Sequence, residues 1–168
     1  MVKIVAIALL STLILGTTAF AADAVDGTWT LNVAKSKFSG AAPQSVTRVY
    51  AESAEGMTLD QKTVGADGKE MSMHVTLAYD GKEHPITGNP DADAGTGKAI
   101  NAHTSDFTLT KGGKVSGTVH RVVSADGKTL WLCYAANFAS GRNHTNLASI
   151  PFGSRYGMCL QEVKLQGP

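Results

Sequence analysis

The chain has 168 residues, and its 15 Lys and Arg residues nearly balance its 14 Asp and Glu residues. This balance excludes the strongly basic surface that is typical of proteins that bind nucleic acid or an anionic membrane surface. The length suits one domain with a sizeable core and is short for two.

The first 21 residues resemble an export signal rather than part of a fold. Lys3 supplies a positive charge, residues 4–15 form an apolar run, and Ala19-Phe20-Ala21 fits a cleavage site with small residues at its two outer positions. The apolar run is shorter than the about 20 residues that a membrane helix needs. We therefore expect no membrane span, a mature domain over residues 22–168, and a periplasmic or secreted location.

The first segment after this signal predicts a half-buried strand over residues 26–33. Trp29, Leu31 and Val33 alternate with polar residues, so that they share one face. Gly27 lets the chain pass close beneath the large ring of Trp29. We expect this strand to close one end of a core.

More alternating segments follow, and most are separated by two-residue turn signals. Because a meander of such strands leaves unpaired edges unless it closes, we predict an all-β, antiparallel up-and-down β-barrel of about 8–10 strands. For Asp67-Gly68 we predict a type I′ turn, and residues 88–97 lack a strand pattern. The predicted strands cover residues 45–51, 57–64, 71–79, 84–87, 98–101, 105–110, 114–124, 129–138 and 158–165.

We predict that the apolar side chains on one face of these strands form the wall of a ligand site. Methionines give a polarisable surface that adapts to varied apolar ligands. The alternative, that these side chains fill a solid core, remains open. The predicted ligand-binding residues are Met71, Met73, Leu77, Tyr79, Phe107, Leu109 and Val119.

The two cysteines, Cys133 and Cys159, lie late in a chain that we expect to be exported, where oxidation is permitted. The sequence does not show whether their Cα atoms come within bonding reach. A disulfide and two free or buried thiols therefore both remain open.

Three segments carry a resemblance to a known family. Gly27-Thr28-Trp29 resembles the G-x-W signature of lipocalins. Residues 27–38, 80–93 and 121–130 together resemble exported bacterial proteins described as lipocalin-like, mostly of undefined function. The resemblance covers about residues 26–130 and leaves residues 131–168 as a divergent C-terminal part.

The resemblance also implies a basic side chain across the tryptophan at the closed end of the barrel. Arg121 is the first candidate and Arg155 the second. Alternation independently places Arg121 in phase with Val119 and Val123, facing inward or at the rim, where it could stack on Trp29. An arginine that reaches solvent is the alternative.

We predict an exported protein that binds a small apolar or amphipathic molecule in the barrel lumen. The alternative is a structural or interaction module of the cell envelope with a filled core. An enzyme that uses His84 or His120 as a base at the barrel mouth has less support, since the chain lacks the G-x-S-x-G and H-E-x-x-H motifs. We predict no cofactor and no metal site, and the oligomeric state stays open.

Overall fold

The computed structural model describes residues 24–136 and 158–165, which form a closed antiparallel barrel. Each strand pairs with its neighbours in the chain, and the last strand pairs with the first, so the barrel is up-and-down. The predicted fold class is therefore confirmed. The strands are β1 (Gly27–Leu31), β2 (Ser45–Ser53), β3 (Gly56–Val64), β4 (Glu70–Ala78), β5 (His84–Thr87), β6 (Ala94–Asn101), β7 (Thr104–Lys111), β8 (Lys114–Val123), β9 (Thr129–Ala136) and β10 (Met158–Lys164).

The divergent C-terminal part supplies the strands that close the barrel. In the pairing of β1 with β10, Trp29 lies opposite Lys164. In the pairing of β9 with β10, Cys133 lies opposite Cys159, and a disulfide joins the two residues. The predicted export signal and Arg155 lie outside the described residues.

The barrel has one closed end and one end with longer connections. Short turns join β2 to β3, β4 to β5, β6 to β7 and β8 to β9 at the closed end. There the Trp29 indole N–H donates to the carbonyl of Val25 over 2.6 Å, and the Glu52 backbone N–H donates to the Asp26 carboxylate over 2.7 Å. The residues before β1 therefore cover this end. Residues 32–44 and 88–93 lie at the other end, which we call the mouth.

Inward-facing apolar side chains from nine of the ten strands, from the segment before β1 and from the β5–β6 connection pack inside the barrel, and β6 contributes buried glycines instead. Their alternation with outward-facing polar residues follows the period of two that a strand imposes. The buried core comprises Val25, Trp29, Leu31, Val46, Tyr50, Met57, Leu59, Val75, Leu77, Ile86, Ala92, Phe107, Val119, Val123, Leu130, Leu132 and Leu160, with two of the glycines on β6 and Gly117 on β8 also buried.

Two local predictions are wrong. Val33 does not continue the face of Trp29, because β1 ends at Leu31 and Val33 begins a 3₁₀ helix, Val33–Lys35, in which its side chain is 40% exposed. At Asp67-Gly68 only the glycine has a positive φ, so the turn is not type I′. Instead Gly65 N–H donates to the carbonyl of Lys69, which closes a longer loop.

A third difference is that β6 begins at Ala94, inside a segment whose sequence lacks a strand pattern. Gly95 and Gly97 occupy the buried positions of this strand. A Cβ atom at Gly97 would lie 2.9 Å from Cε1 of Tyr79 and 3.2 Å from Cε1 of Phe107. The glycines leave room for these rings, and their missing side chains hide the alternation from the sequence.

Candidate functional site

The mouth holds a cavity of about 420 Å³. This volume falls within the range of about 300–1,000 Å³ that is typical of small-molecule sites. Its wall combines apolar side chains with polar ones, and Arg48, Gln61 and Asn89 are among the polar side chains. The described residues that line it are Phe38, Ser39, Gly40, Ala41, Pro43, Val46, Arg48, Gln61, Thr63, Met71, Ser72, Met73, Gly88, Asn89, Pro90, Asp91, Tyr134 and Leu160.

A second, inner cavity of about 70 Å³ lies deeper in the lumen. At about 30 Å³ for each molecule, it has room for about two waters. Five side chains line both cavities, and we call this group the neck: Arg48, Gln61, Met73, Asn89 and Tyr134. The lumen is therefore nearly filled below the neck and open above it.

A buried ion pair lies at the neck. The Arg48 guanidinium contacts the Glu162 carboxylate, and the two side chains are 4% and 0% exposed. Arg48 Nε also donates to Gln61 Oε1 over 2.7 Å, and Gln61 Nε2 donates to Thr63 Oγ1 over 2.9 Å. The pair and the amide together form a polar layer at the neck.

A second buried ion pair joins Arg121 to Glu52 toward the closed end. Arg121 also donates to Ser105 Oγ over 2.8 Å, and the Tyr79 hydroxyl donates to Glu52. Burial acts to lower the pKa of Arg121, but the attraction of Glu52 and the neighbouring tyrosines outweighs it and raises that pKa. The guanidinium is thus held in its charged form.

Burial likewise perturbs two tyrosines near this pair. Burial raises the pKa of Tyr50 above its ordinary value, although Arg48 and Arg121 oppose the shift. Burial raises the pKa of Tyr79 well above its ordinary value, and the hydrogen bond to Glu52 adds to this while Arg121 opposes it. Both phenols are therefore neutral hydrogen-bonding groups at physiological pH.

The cation over Trp29 is Lys164, not Arg121. Lys164 Nζ lies 5.4 Å from the centroid of the tryptophan ring. Arg121 points into the barrel, as alternation predicts, but its Cζ lies over the rings of Tyr50 and Phe107, at 5.3 and 5.1 Å. The predicted stacking of Arg121 on Trp29 is therefore wrong, because β10 brings Lys164 opposite Trp29 while Arg121 turns toward Glu52.

Gly27 lies beside this contact and is held in a conformation that favours glycine. Its φ is +117°, and a Cβ atom there would lie 3.0 Å from Cε of Lys164. The sequence therefore identifies the correct small residue at the closed end. The neighbour that it accommodates is the stem of Lys164 rather than the tryptophan ring.

The structure separates the predicted ligand-binding residues rather than bringing them to one cavity. Met71 lines only the mouth cavity and is 50% exposed, while Met73 belongs to the neck. Tyr79 lines neither cavity and packs against Gly97. Leu77, Phe107, Leu109 and Val119 line the inner cavity. Their role in binding stays a prediction.

Sequence reasoning missed the polar residues of the neck and their partner. Arg48 lies two residues from Val46 and from Tyr50, so it is in phase with an inward-facing apolar row. The signal that could have found it is a charge within such a row, as at Arg121. Glu162 lies likewise two residues after buried Leu160.

The histidines do not cluster in the described part of the chain. His74 on β4 and His120 on β8 are on strands that are not neighbours, and each contacts an aspartate, Asp60 and Asp106 respectively. His84 contacts Asp80. Within residues 24–136 and 158–165, no group of three or more His, Cys, Asp or Glu side chains is arranged to hold a metal ion.

No helix in the described part of the chain is long and apolar enough to cross a membrane. Comparison of the chain with protein-family models and with curated proteins finds no match.

Proposed function

We propose that this protein is an exported binding protein that holds a small apolar or amphipathic molecule in the mouth cavity of its barrel. The observation that carries the proposal is the volume of about 420 Å³ above the neck, against about 70 Å³ below it. A ligand of ordinary size fits the first space and not the second. The proposal therefore moves the binding site from the deep lumen to the mouth.

The apolar side chains in the wall of the cavity indicate that most of the ligand is apolar. Phe38, Val46, Met71, Met73 and Leu160 contribute side chains from the β1–β2 connection and from three strands. The methionines give a surface that adapts to more than one ligand shape. Removal of apolar ligand surface from water would supply about 25 cal/mol for each Å² that is buried.

The nearly filled lower half favours one alternative, a structural or interaction module of the envelope. The closed end is packed with Trp29, Leu130 and Val25, which are at most 1% exposed. In that alternative the mouth holds only water. Binding measurements on the mouth separate the two functions.

The first test is native mass spectrometry of protein purified from the periplasm or medium of the producing cell. We expect the mass of a mature chain that begins near residue 22, together with a small-molecule adduct that denaturation releases. An apo mass that persists after incubation with the cell's lipid extract would favour the filled-barrel module.

The second test is fluorescence titration with N-phenyl-1-naphthylamine, an uncharged apolar probe. Met73→Trp places a large ring at the neck, and we expect it to weaken binding of the probe at least tenfold. The matched control is Ile100→Trp, which adds the same ring at an exposed position near the β6–β7 turn, at the other end of the barrel. Equal affinities for the two variants would contradict the proposed site.

A further inference from the structure

We infer that the mouth cavity selects amphipathic ligands whose head group is uncharged and accepts hydrogen bonds, with Arg48 and Gln61 binding that head group at the neck. The inference rests on the proposed function and specifies the chemical class of its ligand. Fatty alcohols, esters, ketones and amides belong to this class, and free fatty acids do not.

Arg48 has donors to spare for a ligand. Its guanidinium carries five N–H groups. Nε donates to Gln61, and Nη1 contacts Glu162. Within the described residues, no group accepts a hydrogen bond from Nη2. Because the side chain lines both cavities while being 4% exposed, its remaining donors are best satisfied by an acceptor that enters the mouth.

The charge balance at the neck disfavours a carboxylate as that acceptor. Glu162 is fully buried, and apart from Arg48 no described residue contacts either of its oxygens through a hydrogen bond or an ion pair. Among the described residues, Arg48 alone therefore balances its charge. A ligand carboxylate on Arg48 would leave two buried anions sharing one cation, and an unbalanced charge in a buried site is costly.

The other charges that the structure describes near the cavity do not change this balance. Among the described residues that line the mouth, Asp91 is the other charged side chain, and it is an exposed acid. Deeper in the barrel, Arg121 is already paired with Glu52. A cationic head group would in turn meet the Arg48 guanidinium at the neck. An uncharged acceptor satisfies the free N–H groups without adding a charge.

The test is displacement of N-phenyl-1-naphthylamine from the mature protein at neutral pH by ligands with the same chain. 1-Decanol, decanoate and decylammonium carry an uncharged, an anionic and a cationic head group. We expect 1-decanol to bind at least tenfold more tightly than either ion. Decanoate that binds as tightly as 1-decanol would overturn the inference while leaving the proposed function standing.

1-Decanol could also bind more tightly than decanoate because it is more hydrophobic, and variants separate this explanation from the charge balance at the neck. Glu162→Gln frees the charge of Arg48, so we expect the ratio of decanoate to 1-decanol affinity to rise at least tenfold. Glu52→Gln is the matched control, since it removes a carboxylate from the other buried pair, which does not line the mouth, and it should leave the ratio unchanged. An unchanged ratio in Glu162→Gln overturns the inference.

A variant that keeps both ion pairs covers the case in which Glu162→Gln does not fold. Gln61→Leu removes an amide from the neck, and we expect it to weaken binding of 1-decanol about tenfold while binding of decane is unchanged. Equal loss for the two ligands would show that the head group does not contact the neck. Failure of every probe and ligand to bind the wild-type protein would instead overturn the proposed function.

Discussion

Arg48 of β2 and Glu162 of β10 meet inside the barrel from opposite sides of β1. Both strands pair with β1, so the ion pair bridges the seam at which the last strand closes the barrel on the first. The two side chains are nearly or fully buried. The closure of the sheet and the polar layer at the neck therefore depend on the same pair.

We predict that Arg48→Met destabilises the barrel by about 3–5 kcal/mol. The substitution leaves the Glu162 carboxylate buried without its cation, which is the costly way to break a buried pair. The measurement is the free energy of unfolding from denaturant titration, followed by tryptophan fluorescence.

The double variant Arg48→Met with Glu162→Leu is the control. Because it removes both charges, we expect it to recover most of the lost stability. A double variant that is less stable than Arg48→Met alone would show that the carboxylate has another source of stabilisation in the barrel.

The contact of Lys164 with Trp29 predicts a smaller effect at the closed end. Lys164 Nζ lies over the indole ring and 3.4 Å from the carbonyl of Ala24. Lys164→Met keeps most of the stem and removes the charge, so we expect a loss of about 1–2 kcal/mol in the free energy of unfolding. Lys114→Met, at an exposed position on β8, should change it by less than about 0.5 kcal/mol. Equal losses for the two variants would contradict a specific cation–π contact.

Much of the fold could be predicted because most inward positions carry apolar side chains. Trp29 and Leu31 on β1, or Val75 and Leu77 on β4, alternate with polar residues and are buried in the barrel. Alternation and turn signals therefore predict an antiparallel barrel. The same reasoning failed on β6, where glycines stand at the buried positions and carry no signal of either face.

The candidate site was harder to predict because it depends on pairing between distant strands. Arg48 and Glu162 are separated by most of the described chain, and each is a charge within an apolar row. Only the register of β2 and β10 on either side of β1 shows that the two charges are partners. The choice between Arg121 and Lys164 over Trp29 depends on the same closing register.

The partly buried Tyr79 predicts a loss of stability at alkaline pH. Its pKa in the folded barrel is raised above the ordinary value of about 10, because the phenol is partly buried and donates to the Glu52 carboxylate. Above about pH 10 the unfolded chain loses this proton while the folded chain keeps it. Stability that is fully present below that pH therefore falls as the pH rises toward the folded-state pKa.

We expect the free energy of unfolding of the wild-type protein to fall as the pH rises above about 10, and to fall less steeply in Tyr79→Phe. Denaturant titrations across this range measure both slopes. Tyr50 contributes to the slope that remains, because burial raises its pKa as well. Parallel slopes for wild type and Tyr79→Phe would contradict a raised folded-state pKa at Tyr79.

The close contact between Gly97 and two aromatic rings predicts that this position tolerates no side chain. In Gly97→Ala the new Cβ atom would lie 2.9 Å from Cε1 of Tyr79, inside normal contact distance, and Phe107 blocks the other side at 3.2 Å. We expect overpacking to cost about 1–3 kcal/mol in the free energy of unfolding. Gly40→Ala is the matched control, because a Cβ atom there meets nothing within 4 Å. Equal stability of the two variants would contradict this prediction. It would mean that the rings of Tyr79 and Phe107 shift without cost and that packing does not require a glycine at position 97.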